Sequence, residues 1–330
     1  MIRRVLQTLA LALAGGTLAL LAFELAVRVF LPAFDPSGRF RFAYDSGDGL
    51  MLGQPGTVAR QRKNTGDYDV AVRINARGLR DDKDVAQARA SDIAVVGDSF
   101  AWGWGVDASE RFSDRLQSLS GKRVFNVSTP TDLAGDGALI AYARKLGGKF
   151  GTIVLAICME NDIHEYGPTR GDDADSGMSS GSLRDWLERN SAGYLFFTTA
   201  VHRTPWLKAP AVWLGLITPN LEGISRNSYS EAAIESSART VAELAKTNHL
   251  IAVIIPSRAL WVGDNRAVED RVHKGFVAAL ARLGVDTIDL RPLFEAGGQP
   301  LAYHFANDGH WNAHGHRLAA EAIARRLAGN

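Results

Sequence analysis

The sequence predicts a three-layer α/β/α protein, a mostly parallel sheet between helices, with a helical insertion and an N-terminal transmembrane helix. Three observations carry this. Short, almost purely apolar runs alternate with segments of helical period, the pattern of parallel strands buried on both faces. One long polar and aromatic stretch interrupts that alternation. Finally, Val5 to Phe23 is apolar over nearly the ~20 residues a helix needs to cross a bilayer core.

Arg3 and Arg4 precede that apolar run, so the positive-inside rule keeps the N-terminus in the cytoplasm. The expected location is the inner (cytoplasmic) membrane, single-pass, with the folded part on the periplasmic side. A cleaved signal peptide competes, because Ala12-Leu13-Ala14 before Gly15 resembles a small-residue cleavage site. The apolar run continues well past that point, which favours an uncleaved anchor over residues 1–31. Glu24 and Arg28 stand four apart on one helical face, where they can pair. No cysteine lies near this segment, which excludes a lipoprotein anchor.

Residues 32–66 are rich in Pro, Gly, Asp and Arg without sustained period and read as linker and irregular surface. "DYDVAVRIN" (67–75) alternates as a half-buried strand, so 32–89 is taken as linker plus lead-in strand. Five buried strands follow: "DIAVVG" (92–97), "RVFNV" (123–127), "TIVLAIC" (152–158), "LIAVII" (250–255) and "VDTIDL" (285–290). Helical period is expected over 109–120, 133–146, 229–246, 264–283 and 314–328. Together these make one domain over 90–330, interrupted by an insertion at 163–227. The insertion opens with the polar "GPTRGDDADSGMSSGS" (167–182), read as solvated and mobile. Its later part reads as a helical cap over the sheet, and Trp206, Trp213 and nearby basic residues also suit a membrane interface. Pro205, Pro210 and the interspersed charges argue against a second membrane span.

The composition narrows the function. Across 330 residues the net charge is +1 and no basic face stands out, so nothing points to nucleic acid. The lone Cys158 excludes an intramolecular disulfide and any thiolate metal cluster.

"IAVVGDSFAWGWGV" (93–106) puts Ser99 just beyond a buried strand, at the carboxyl edge where open α/β sheets bind ligands. Gly-Asp-Ser alone is an ordinary turn. Two other segments change its meaning. "NDGHWNAHGHRLAAEAI" (307–323) supplies Asp308 and His310, a carboxylate and an acid–base group two residues apart. "CMENDIH" sets Asn161 beyond the third strand, where its side-chain N–H can stabilise an oxyanion. Trp102 and Trp104, with Asp98, are candidates for the wall of a substrate site, packing being the alternative for the tryptophans.

This order of blocks resembles the SGNH hydrolases, or GDSL family, over most of residues 90–330. The resemblance implies a flavodoxin-like sheet, a Ser99–His310–Asp308 triad, and an oxyanion hole from Ser99, Asn161 and a second-block residue, here Thr131. The family's Gly is absent at that second-block position and is replaced by Met159 in the third block. The compressed Asp308-Gly309-His310-Trp311-Asn312 looks like the SGNH domains of alginate O-acetyltransferase-type proteins. "VRINARGLRD" and the anchor look like a membrane-bound subgroup linked to envelope polysaccharides. The resemblance therefore implies a cofactor-free serine esterase acting on O-acyl groups of envelope carbohydrate, with proteins of polysaccharide biosynthesis as partners. Acyl transfer by the same triad, and a non-catalytic assembly or binding role, are the alternatives.

A metal site built from Asp308, His310, His314 and His316 is the rival chemistry. It lacks the Glu of His-Glu-x-x-His and leaves Ser99 and Asn161 without a role. His314 and His316 fit better as helix-capping and packing residues, and His164 as a structural or rim residue.

Overall fold

A computed structural model describes residues 2–45, 47–63, 65–166, 183–214 and 229–329. The polar stretch 167–182 and residues 215–227 of the predicted insertion lie outside them, as does Ser228. The chain divides into two compact units: Met1–Arg39, Asn64–Gly66 and Gly171–Pro219 in one, and the remainder in the other.

The first unit contains helix Ile2–Phe30, long and apolar enough to cross a membrane. The insertion contributes helices Leu183–Asn190, Ala192–Arg203 and Pro205–Trp213. Glu24 and Arg28 pair at 2.7 Å as their spacing predicts.

The second unit is built on a five-stranded sheet. Chain order gives strands β1 (Phe42–Asp45), β2 (Leu50–Gly53), β3 (Val58–Arg62), β4 (Asp69–Arg73), β5 (Ile93–Gly97), β6 (Val124–Ser128), β7 (Thr152–Cys158), β8 (Leu250–Ile255) and β9 (Thr287–Asp289). The sheet order is β6-β5-β7-β8-β9, all parallel. Every residue of β5 to β8 is buried, which is why these strands read as unbroken apolar runs. Alternate side chains still serve opposite cores. Ala94, Val96, Ile153, Leu155 and Ile254 meet helices Leu133–Lys145, Glu231–Lys246 and Arg266–Arg282. Ile93, Val95, Val154, Ala156 and Val253 meet helices Phe112–Ser120 and Ala313–Leu327.

This order reverses direction between β5 and β7, and ligand crevices of open α/β sheets lie at such points. Gly97 is level with Ser128 of β6 and Ala156 of β7, so all three strands release their loops at one edge.

Residues 40–66, expected as linker and irregular surface, hold three of four strands in two antiparallel ribbons, β1–β2 and β3–β4. β4 is the predicted lead-in strand. The others carry no periodic signal: they are short, and β3 ("VARQR") has no apolar alternation. Charge pairing supports that ribbon instead: Arg60 Nε and Arg62 Nη2 reach Asp69 across the strands at 2.8 and 2.6 Å.

Gly97 ends β5 with φ +151°, and a Cβ there would lie 2.7 Å from the Ala156 carbonyl oxygen. Backbone cannot yield as a side chain can. Gly97→Ala should cost about 2–4 kcal/mol, read as an earlier near-UV circular dichroism melt of the detergent-solubilised protein.

Candidate active site

The chain leaves β5 through Gly97-Asp98-Ser99 into the short helix Ser99–Trp102. Asp98 caps that helix, its Oδ1 accepting the Phe100 N–H at 2.9 Å. Ser99 is the first helical residue, and its N–H has no intrahelical acceptor. Its Oγ lies 2.8 Å from His310 Nε2. His310 Nδ1 lies 2.5 Å from Asp308 Oδ1, which also accepts the His310 backbone N–H at 3.0 Å. A nucleophile-type hydroxyl, an imidazole and a carboxylate thus form one hydrogen-bonded line, drawn from opposite ends of the domain.

The second Asp308 oxygen is held as firmly. It accepts from Tyr68 Oη at 3.1 Å and pairs with Lys63 Nζ at 2.9 Å. Tyr68 Oη in turn accepts from Trp104 Nε1 at 2.6 Å. Burial alone would raise the Asp308 carboxyl. The His310 hydrogen bond and charge, with Lys63, hold it well below the usual carboxylate range instead. Burial and the Asp308 charge push the Tyr68 phenol up, so it remains a donor.

Trp104 stacks on the His310 ring, with centroids 5.2 Å apart and planes 19° apart. Buried Arg80 arranges this loop: its guanidinium donates to the carbonyls of Trp102, Gly103 and Val106. Gly103, at φ +86°, closes the short helix left-handed and lets Trp104 turn toward the histidine. Trp102 is buried instead, beneath Arg80 and packed with Phe40, Phe42 and the inner side of Trp104. Of the expected wall residues, only Trp104 is therefore at the site's surface.

Asp98 is also buried, and its role is internal: Oδ2 accepts from Asn161 Nδ2 at 3.2 Å. The same amide nitrogen donates to the Thr131 carbonyl oxygen at 3.3 Å. Both contacts are long, and two acceptors fix which end of the amide is nitrogen. The Asn161 amide thus links the loops that leave β5, β7 and β6, resting against the Asp98 carboxylate and the Thr131 carbonyl. Burial pushes the Asp98 carboxyl up, opposed by the Phe100 N–H, His310 and Asn161.

The other histidines stand apart. His316 is fully buried, with Nδ1 accepting the Phe112 N–H at 3.4 Å, and His314 is exposed. Burial, then neighbouring arginines, push His304 and His316 down to about 3. Such weak bases are poorly matched to proton transfer near neutrality. His164 uses its backbone N–H to bind Ser237 Oγ and packs on Tyr166.

Lys63, Tyr68, Glu160 and Arg258 were not foreseen. Arg258 Nη1 donates to the Asp308 carbonyl at 2.9 Å, and Glu160 accepts the Arg258 backbone N–H at 2.7 Å. Arg258 follows β8 at the same sheet edge, a signal the sequence did contain. Lys63 and Tyr68 had no such signal, since they flank an unrecognised ribbon turn.

Because the Asp308 pKa is depressed on folding, its ionised form adds stability above the unfolded-state value near ~4, lost as pH falls through the folded value. Lys63→Met should therefore lower stability at pH 7 by about 1 kcal/mol. The difference should shrink toward zero at acid extremes, measured by urea unfolding across a pH series.

Residues 221–330, a third of the chain that includes Asp308 and His310, match the family described as SGNH hydrolase-like domain, acetyltransferase AlgX. Solved structures similar to this chain include a member of the lipolytic G-D-S-L family from Veillonella parvula (16% identity, 72% of this chain, 98% of that one, TM-score 0.42). Another is the lipase/acylhydrolase from Enterococcus faecalis (12% identity, 72% and 96% coverage, TM-score 0.43). A third is a carbohydrate esterase family 2 enzyme with a carbohydrate-binding domain from Corynascus thermopiles (14% identity, 73% and 67% coverage, TM-score 0.38). Among curated proteins there is no match. Residues 221–330, the part of the chain that carries the Asp-x-His loop, are thus similar to an SGNH hydrolase-like domain, and the Gly-Asp-Ser turn at the sheet's switch point lies outside the matched residues.

Proposed function

We propose that the protein is a membrane-anchored serine enzyme that attacks O-acyl esters of cell-envelope carbohydrate. The observation that carries this reading is the hydrogen-bonded line from Ser99 Oγ through His310 to Asp308. His310 Nε2 takes the Ser99 proton as Oγ bonds to the ester carbonyl carbon. Asp308 keeps Nδ1 protonated and stabilises the imidazolium. The developing oxyanion is received by the Ser99 N–H, with Asn161 Nδ2 exchanging a long protein contact for a short one and the Thr131 N–H as third donor. Collapse breaks the ester C–O bond, and His310 returns the proton to the departing alcohol. Water or a sugar hydroxyl then attacks the acyl-enzyme, giving hydrolysis or transfer.

The carbohydrate assignment rests on the Asp-x-His-Trp-Asn form and on the acetyltransferase description of the family matched over 221–330. That description also favours transfer as the second reading. Arg3 and Arg4 favour an extracytoplasmic catalytic domain beyond an inner-membrane anchor.

A fluorophosphonate should label the wild-type protein and leave Ser99→Ala unlabelled, and Ser99→Ala should lower aryl acetate turnover by roughly 10⁴-fold or more. An unlabelled wild-type protein, or an alanine variant with unchanged rates, overturns the assignment. Mass spectrometry of a polysaccharide acceptor incubated with an acetyl donor separates the two outcomes: acetylated acceptor means transfer, free acetate alone means hydrolysis.

A further inference from the structure

We infer that helix Pro205–Trp213 and its two preceding helices form a second membrane contact, lying against the lipid leaflet at the anchor's C-terminal end. Trp206, Ala209, Pro210, Trp213 and Leu214 fall at helical spacing on one face, and all five are exposed. Trp206 is 75% and Trp213 84% accessible. This face is not a core side left unfilled. The helix already has one, where Leu207, Ala211 and Val212 pack on Val201 of the preceding helix.

The helices are fixed to the anchor by a polar joint. The Glu24 carboxylate accepts from Ser191 Oγ at 2.7 Å and from the N–H groups of Ala192 and Gly193 at 2.9 and 2.8 Å. A carboxylate thus caps the N-terminus of helix Ala192–Arg203, where its charge is most favourable. Arg28 adds a bond to the Asn190 carbonyl at 2.6 Å. Phe196 sits edge-on to Phe23 and Phe34.

Beside that joint runs a cleft of about 640 Å³ between the anchor and the insertion. Its anchor wall descends from Glu24 through Leu21 and Leu20 to Thr17, two helical turns or about 10 Å deeper. Trp186 and Phe197, both more than half exposed, face the same cleft. These side chains lie alongside the apolar stretch of the helix that crosses the bilayer. Acyl chains are the solvent present at that depth, and they cover both the cleft and the outward tryptophan face. Tryptophan at the edge of such a face suits the headgroup boundary.

The test uses the full chain in nanodiscs of phosphatidylcholine and phosphatidylglycerol, whose two faces are both open to water. Cys158, the sole cysteine, is replaced by Ala. A polarity-sensitive fluorophore is then placed by Trp206→Cys or Trp213→Cys, with Arg239→Cys as an exposed control. Doxyl groups on the acyl chains should quench the 206 and 213 probes at least threefold more than the 239 probe, and iodide should show the reverse order. Equal iodide quenching at all three positions overturns the inference. So does protection from both quenchers, which would mean that protein covers the face. Independently of labelling, doxyl lipid should quench native tryptophan emission, and Trp206→Leu/Trp213→Leu should remove at least half of that quenching. Unchanged quenching in the double variant also overturns it.

Discussion

The Asp98 carboxylate is the constraint on which the site depends. Its two oxygens perform different tasks in one buried place. Oδ1 caps the short helix that presents Ser99, and Oδ2 holds the Asn161 amide from the neighbouring strand. The nucleophile-type hydroxyl and the amide are therefore positioned by the same group. Removing that carboxylate would release the first turn of one loop and the side chain of the other. Asp98 must be inside to do this, and Gly97 makes that geometry accessible by clearing the approach of β7.

A second carboxylate has the complementary arrangement. Asp308 is enclosed by donors from distant parts of the chain: His310 two residues on, and Lys63 and Tyr68 from the antiparallel ribbon. Asp98 is pushed toward protonation by burial, whereas Asp308 is kept ionised by its partners. Two buried carboxyl groups near one imidazole thus differ in charge preference because their donors differ. Only the ionised one can hold His310 in the tautomer that leaves Nε2 free toward Ser99.

The sheet was legible because a strand buried on both faces has to be apolar at every position, as β5, β7 and β8 are. The helices were legible through their period. The β1–β2 and β3–β4 ribbons were not, since backbone pairing and the Arg60–Asp69–Arg62 contacts support them without an apolar pattern. The same reason hides Lys63 and Tyr68, which reach Asp308 across a sequence gap that no local motif spans. Trp102 and Trp104 show the limit from the other side. They are two residues apart across a left-handed glycine, so one enters the core and the other the site. Sequence identity does not distinguish them; the turn does.

The two units also differ in the solvent they require. The sheet unit closes its own cores on both faces, and its exposed large apolar residues are scattered. The helical unit does not: its insertion keeps a continuous tryptophan face outward although the opposite face is already packed. A sequence free to choose polar residues at Trp206, Ala209, Pro210, Trp213 and Leu214 would gain solubility at no cost to that packing. An apolar choice at all five is consistent with a surface selected for an apolar medium. Heating such a chain in detergent therefore unfolds one unit held by buried apolar area and another that also depends on the detergent, so a stability change in the sheet unit is read from that unit's own transition.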